Sequence, residues 1–153
     1  MREDAIMTKP RRMDILLVED DPGDVELTRE GLREATMLVN LHVVDDGEKA
    51  LKFLRKEPPY AEAVRPDIVL LDLNMPRKDG KEALREIKGD PALRSIPVVV
   101  LTTSEAEADI AACYDLGANC YITKPISFAA FTKVVAMIEE FWFTIVRMPT
   151  KEQ

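Results

Sequence analysis

Two cysteines, one histidine and one tryptophan are all that this 153-residue chain holds of those types. Cys113 and Cys120 lie close together, late in the chain, and only His42 stands ready to join them. A disulfide scaffold and a cysteine–histidine zinc site are therefore disfavoured, and two reduced, mostly buried thiols are expected. No apolar run approaches the roughly 18 residues that suggest a membrane span. The opening MREDAIMTKPRR lacks the apolar centre of a secretion signal. Both absences lead us to expect a cytoplasmic protein. Positive charge is in deficit, with 21 Lys and Arg against 28 Asp and Glu and a formal net charge of −7. That balance disfavours nonspecific nucleic-acid binding and gives no polybasic membrane patch, although Lys9, Arg11 and Arg12 form a local basic spot. A glycine-rich phosphate loop is also missing. The first apolar run is followed by EDDPGD, which repels phosphate without a metal and argues against a nucleotide or flavin module.

What is present reads as one ordinary globular domain, 46% hydrophobic and 32% charged. Residues 1–12 are polar, carry Pro10 and read as a flexible arm; residues 13–145 form the domain; 146–153 are a short tail. Apolar runs at Met13–Val18, Met37–Val44, Asp67–Leu71, Val98–Leu101 and Cys120–Thr123 are strand candidates. Between them lie helical segments. Asp24–Ala35 turns Val25, Leu27, Leu32 and Ala35 inward. Glu48–Lys56 does so with Ala50, Leu51 and Leu54, and PPY at 58–60 stops it. Asp79–Lys88 uses Ala83, Leu84 and Ile87. Ser104 with Glu107 reads as a capping box for a helix ending near Leu116 and Gly117, and Ser127 to about Ile145 is the final helix. Strand and helix alternate five times, which predicts an α/β, doubly wound domain with a parallel sheet and helices on both faces. Ile15–Val18, Ile68–Leu71 and Val98–Leu101 are almost unbroken hydrophobic runs, as strands buried on both faces require.

Ligands of such sheets sit beyond the carboxyl ends of the strands. The first strand is followed by Glu19-Asp20-Asp21, the third by Asp72, the fourth by Thr102-Thr103 and the fifth by Lys124-Pro125. Each group alone reads as a turn, cap or surface residue; their expected convergence is what carries chemistry. Clustered carboxylates repel, and a hard divalent cation such as magnesium relieves this through oxygen ligands. Asp20 and Asp72 are expected as direct ligands, with Glu19 acting through water or orienting the ion, and the backbone carbonyl of Asn74 reaching the same metal. A carboxylate is also a nucleophile toward phosphorus. Asp72 is then the phosphoryl acceptor, Lys124 the amine that pairs with it or its phosphate, and Thr102 a hydroxyl donor to a phosphoryl oxygen. A cis Lys124–Pro125 bond would turn that amine inward; a trans proline opening the last helix is the alternative.

VEDD at 18–21, LLDLNMPRKDG at 70–80, VVVLTTS at 98–104 and YITKP at 121–125 together resemble the receiver domains of two-component response regulators. The resemblance spans about Met13 to Phe143. It implies a three-layer (βα)5 sandwich with flavodoxin-like strand order 2-1-3-4-5. It implies phosphorylation of Asp72 from a histidine-kinase phosphohistidine, with magnesium required and manganese able to substitute. Glu19 and Asp20 would form the acidic pocket, Thr102 the switch hydroxyl, Lys124 the family's amine and Tyr121 the aromatic switch. Such domains are signalling modules that assist only their own phosphorylation and dephosphorylation. Their signal spreads over the face of the fourth helix, fifth strand and fifth helix. Thr103 departs from the family pattern, standing where a small residue is usual, and its bulk beside the phosphate would slow access. Ser104 replaces longer side chains of some relatives. The lengthened connection PPYAEAVRPD, together with LDLNMPRKDG, IPVVVLTTS, NCYITKP and IEEFWF, is similar to single-domain regulators paired with bacterial and cyanobacterial phytochromes. That likeness implies a bilin-bearing kinase as donor and a homodimer.

Only about ten residues follow Phe143, too few for a DNA-binding module, so output is expected through an unidentified downstream protein or by onward phosphotransfer in a relay. The last helix carries Phe128, Phe131, Val135, Ile138 and Trp142 at alternating spacings of three and four, widened by Val134, Phe141 and Ile145. Part of this stripe must cover the sheet. The rest, centred on Phe131, Ile138, Phe141 and Trp142, is the expected dimer face. An aspartyl-phosphate phosphohydrolase is the enzyme alternative, but it would want an acid two residues past the nucleophile, where Asn74 stands. His42 is assigned no role.

Overall fold

Residues 12–33, 39–73, 79–102 and 107–123 are described by a computed structural model of the chain. The elements are β1 (Met13–Val18), α1 (Pro22–Arg33), β2 (Val39–Val44), α2 (Gly47–Leu54), β3 (Ile68–Leu71), α3 (Gly80–Gly89), β4 (Val98–Thr102), α4 (Glu107–Asp115) and β5 (Cys120–Thr123). The strands form one parallel sheet in the order β2-β1-β3-β4-β5, as expected for a flavodoxin-like α/β fold. The first arm, the tail, the final helix and the Ser104 cap lie outside the described residues. No described helix is long and apolar enough to cross a membrane.

Strand periodicity explains why the apolar runs are unbroken. Successive side chains of a strand point to opposite faces. Leu16, Val18, Val44, Val69, Leu71, Val98 and Val100 join one core with α2, α3 and Cys113 of α4. Met13, Ile15, Leu17, Ile68, Leu70, Val99 and Leu101 join a second core on the other face, with Leu32 of α1. A strand packed on both faces has no solvent side to fill with polar residues.

The expected inward faces of α2 and α3 are observed. Ala50, Leu51 and Leu54 are buried, as are Ala83, Leu84 and Ile87. Leu84 is fully enclosed, so Leu84→Ala should cost about 2–5 kcal/mol, read as a lower urea midpoint at unchanged slope. The face of α1 differs from expectation. Leu27 is 46% exposed, while Thr28, Gly31 and Leu32 are buried. The Thr28 hydroxyl donates to the Asp24 carbonyl at 2.9 Å, which satisfies it internally and lets a polar residue take the inward position.

Caps fix the helix starts. The Asp46 side chain accepts from the Lys49 amide at 2.7 Å, and Asp79 accepts from the Glu82 amide at 2.9 Å. The second helix stops at Leu54 rather than Lys56, because Lys56 turns left-handed at φ 57 ahead of Pro58–Pro59. That connection is packed. The Tyr60 ring lies 5.5 Å from that of Phe53, and Arg65 donates to the Ala92 carbonyl at 2.8 Å and to Ser95 Oγ at 2.9 Å. Among the described residues the cis peptide bond is Pro58–Pro59; the Lys124–Pro125 bond lies outside them.

Candidate functional site

The two central strands, β1 and β3, end side by side, with Val18 registered against Leu71. Pairing continues past their last residues. The Asp72 amide donates to the Val18 carbonyl and the Glu19 amide to the Val44 carbonyl, each at 3.0 Å. The acids that follow are thereby set on one edge. Glu19 is 4% and Asp72 6% exposed, whereas Asp20 faces solvent. Carboxylate oxygens of Glu19, Asp20 and Asp72 lie within 4.8 Å of one another. The sheet has therefore brought together the three acids that the sequence marked.

Local chemistry orients the cluster. Glu19 Oε2 accepts from the Asp21 amide at 3.2 Å, and Asp21 Oδ1 accepts from the Gly23 amide at 2.8 Å, so Asp21 caps α1 ahead of Pro22. This capping role was missed by starting the helix at Asp24, although Asp followed by Pro is a legible start signal. Gly80 was missed too. A Cβ there would lie 2.4 Å from the Asp72 carbonyl oxygen and 2.5 Å from Leu73 Cα, and its amide donates to the Leu73 carbonyl at 2.9 Å. The first turn of α3 is thus pressed directly onto the backbone of Asp72.

Thr102 ends β4 on the same edge, in register with Thr123 of β5. Tyr121, registered with Val100, is half-buried against the core shared by α2, α3 and α4. Asn74, Thr103, Lys124 and the proposed dimer residues Phe131, Ile138, Phe141 and Trp142 lie outside the described residues. His42 sits within β2, with Nε2 3.2 Å from Asp14 Oδ1 and its ring 5.6 Å from Phe53. Cys113 is buried, and burial pushes its thiol above the usual range, as expected of an inert core residue. Lys81 is held above its usual pKa by a hydrogen bond to Asp109, while burial lowers that of Lys88.

Two buried carboxylates at the limit of that separation repel by roughly 3 kcal/mol at an effective dielectric of about 20. An all-oxygen set of this charge suits a hard divalent cation. Among the described residues, nitrogen and sulfur donors, which softer metals prefer, do not enter the group. Asp20→Asn should weaken divalent affinity at least about tenfold. The urea midpoint should stay near wild type, because Asp20 is exposed. Manganese titration by water-proton relaxation would measure the affinity.

The five-stranded α/β fold thus carries an acidic edge suited to a cation at the carboxyl ends of its central strands. The family model of the response regulator receiver domain matches residues 15–136, and the chain belongs to that family. Receiver domains of this family are signalling modules, not independent catalysts. The chain is 47% identical over 135 residues to response regulator Rcp1 of Synechocystis sp., covering 88% of this chain and 92% of Rcp1. It is similar to the phosphorylated cyanobacterial phytochrome response regulator RcpA, with TM-score 0.82 and 48% identity over 92% of this chain and all of that one, 100%. It is also similar to the Mn(2+)-bound form of Rcp1, with TM-score 0.79 and 46% identity over 90% of this chain and 99% of that one.

Proposed function

We propose that this chain is a response regulator that accepts a phosphoryl group on Asp72 from a histidine kinase of the phytochrome type. The observation that carries this is the meeting of Glu19, Asp20 and Asp72 at the ends of β1 and β3. Phosphorylated RcpA and Mn(2+)-bound Rcp1 support it by similarity. A carboxylate oxygen of Asp72 attacks phosphorus, the phosphorus–nitrogen bond of the donor phosphohistidine breaks, and the imidazole leaves with its electron pair. An acyl phosphate remains on Asp72. Glu19, Asp20, Asp72 and the Asn74 carbonyl are the groups to hold magnesium, with manganese as substitute. The bound cation supplies positive charge against the carboxylates and the phosphoryl oxygens. Lys124, one residue past β5, adds an ammonium to pair with Asp72 or its phosphate, and Thr102 donates its hydroxyl to the phosphoryl group.

The receiver domain spans 13–145, with arms at 1–12 and 146–153, and acts in the cytoplasm. Its signal passes through the face of α4, β5 and the final helix, with Tyr121 following Thr102, to a downstream protein. Phe131, Ile138, Phe141 and Trp142 of that helix form the face of a homodimer, which sedimentation of wild type against a Phe141→Ala, Trp142→Ala variant would test. A phosphotransfer screen against histidine kinases, bilin-bearing ones included, tests the main reading. Rapid transfer from a bilin-bearing kinase is expected; transfer from none would overturn it.

A further inference from the structure

The sheet ends on one side at β2, and among the described residues no strand pairs with its outer side. Backbone groups of a parallel strand point alternately to its two sides, residue by residue. The Glu19 amide donates to the Val44 carbonyl, so Val44, His42 and Asn40 aim their amides and carbonyls at β1. Val39, Leu41 and Val43 therefore aim theirs away from the sheet. That outer row belongs to three apolar residues. Val39 and Leu41 are half-buried against the second core, and Val43 is 37% exposed.

Proteins ordinarily guard such an edge with charge, proline, a bulge or a cover. VNLHVV holds no Asp, Glu, Lys, Arg or Pro, and its register with β1 runs unbroken from Met13 with Val39 to Val18 with Val44. The strand is also held in place. Asp14 Oδ1 accepts from Asn40 Nδ2 at 3.1 Å and lies 3.2 Å from His42 Nε2. Arg12 Nε donates to Asn40 Oδ1 at 2.8 Å, which leans the guanidinium toward the edge. A fixed, uncharged row of donors and acceptors needs little further ordering to pair.

We propose that β2 is a strand-addition edge whose partner is β2 of a second copy, paired antiparallel about a two-fold axis at Leu41. The strand is self-complementary in that register. Leu41 faces Leu41 of the second copy, and Val39 faces its Val43, so one side of the ribbon is apolar throughout. On the other side Asn40 comes opposite His42. The outward residues swap amide-to-carbonyl bonds in pairs. Charge fits as well. Arg12 precedes Met13, the neighbour of Val39, and Val39 falls opposite Val43 of the second copy, two positions before the exposed Asp45. Asp45 Oδ1 accepts from Lys49 Nζ at 2.8 Å, which leaves Oδ2 for Arg12. The two-fold axis makes that contact at both ends of the ribbon. Strands of six residues bury less than the roughly 1,200 Å² of stable interfaces, so the association is weak and depends on concentration. It needs neither phosphorylation of Asp72 nor a dimer through the final helix.

Amide hydrogen exchange of the full chain, resolved by residue with NMR at about 20 μM and about 1 mM, tests this. At the higher concentration the amides of Val39, Leu41 and Val43 should exchange about two- to fivefold more slowly. Those of Asn40 and His42, already directed at β1, should not change. A dimer through another face leaves all five unmoved. Val43→Lys should remove the effect without lowering the urea midpoint, because Val43 is exposed, and Val43→Thr should keep it. Cross-linking with glutathione disulfide reads the register. Val39→Cys mixed with Val43→Cys should give a dimer joined at 39–43, since paired α-carbons lie about 5.5 Å apart, within disulfide reach. Val43→Cys alone should not join at 43–43, a separation of roughly 13 Å. Fast exchange of the three amides at both concentrations overturns the proposal. So does equal protection at both, which would mean that the chain's own first residues cover the edge. Joining at 43–43 as readily as at 39–43 overturns the pairing about Leu41.

Discussion

Asp72→Asn should reduce acid-labile phosphorylation of the chain to background. The amide keeps the shape of the carboxyl but offers no anionic oxygen to phosphorus. The variant should still fold. Asp72 is buried beside Glu19, and neutralising one of two close carboxylates relieves repulsion. That relief offsets hydrogen bonds lost with the carboxylate, so the urea midpoint without divalent ions should be no lower than wild type. Loss of label with retained stability separates chemistry from folding. Label from a phosphorylated kinase that persists in the folded variant, and is removed by mild acid or hydroxylamine, would mean another acceptor.

Gly80→Val should be the most damaging single change near the site. The new Cβ would sit 2.4 Å from the Asp72 oxygen and 2.5 Å from Leu73 Cα. Both are backbone atoms and cannot swing aside as a side chain would. Overpacking of this kind costs about 3 kcal/mol or more. Relief requires the first turn of α3 or the loop after β3 to shift, and Asp72 must move with it. Divalent affinity should therefore fall together with the urea midpoint. Gly89→Ala is the matched control on the same helix. A Cβ there meets nothing within 4 Å, so its midpoint should equal or slightly exceed wild type. Equal stability of Gly80→Val and wild type would show that α3 is not seated on Asp72.

Much of this arrangement was written in the local pattern. Unbroken runs such as Ile68–Leu71 announce strands with two buried faces, and the alternation of runs and helical segments announces a parallel sheet. Once the sheet is parallel, Glu19, Asp20 and Asp72 must share an edge, although 52 positions separate Asp20 from Asp72. Other features depend on facts that no local pattern carries. Hydrophobicity placed Leu27 inward, but Leu27 is exposed and Thr28, its hydroxyl satisfied by the Asp24 carbonyl, takes a buried position instead. Gly80 falls inside the expected helix Asp79–Lys88 and carries no local mark of its own. Its close approach to the Asp72 carbonyl arises from how α3 docks, a tertiary property. The pairing of Lys81 with Asp109 joins residues 28 apart on adjacent helices and likewise needs the packed fold.

Calorimetric titration of beryllofluoride into the chain, with and without magnesium, tests the acidic edge most directly. Binding should occur only when magnesium is present, and Asp72→Asn should abolish it. Binding of equal affinity without a divalent ion, or undiminished binding to Asp72→Asn, would contradict a phosphoryl site built from Glu19, Asp20 and Asp72.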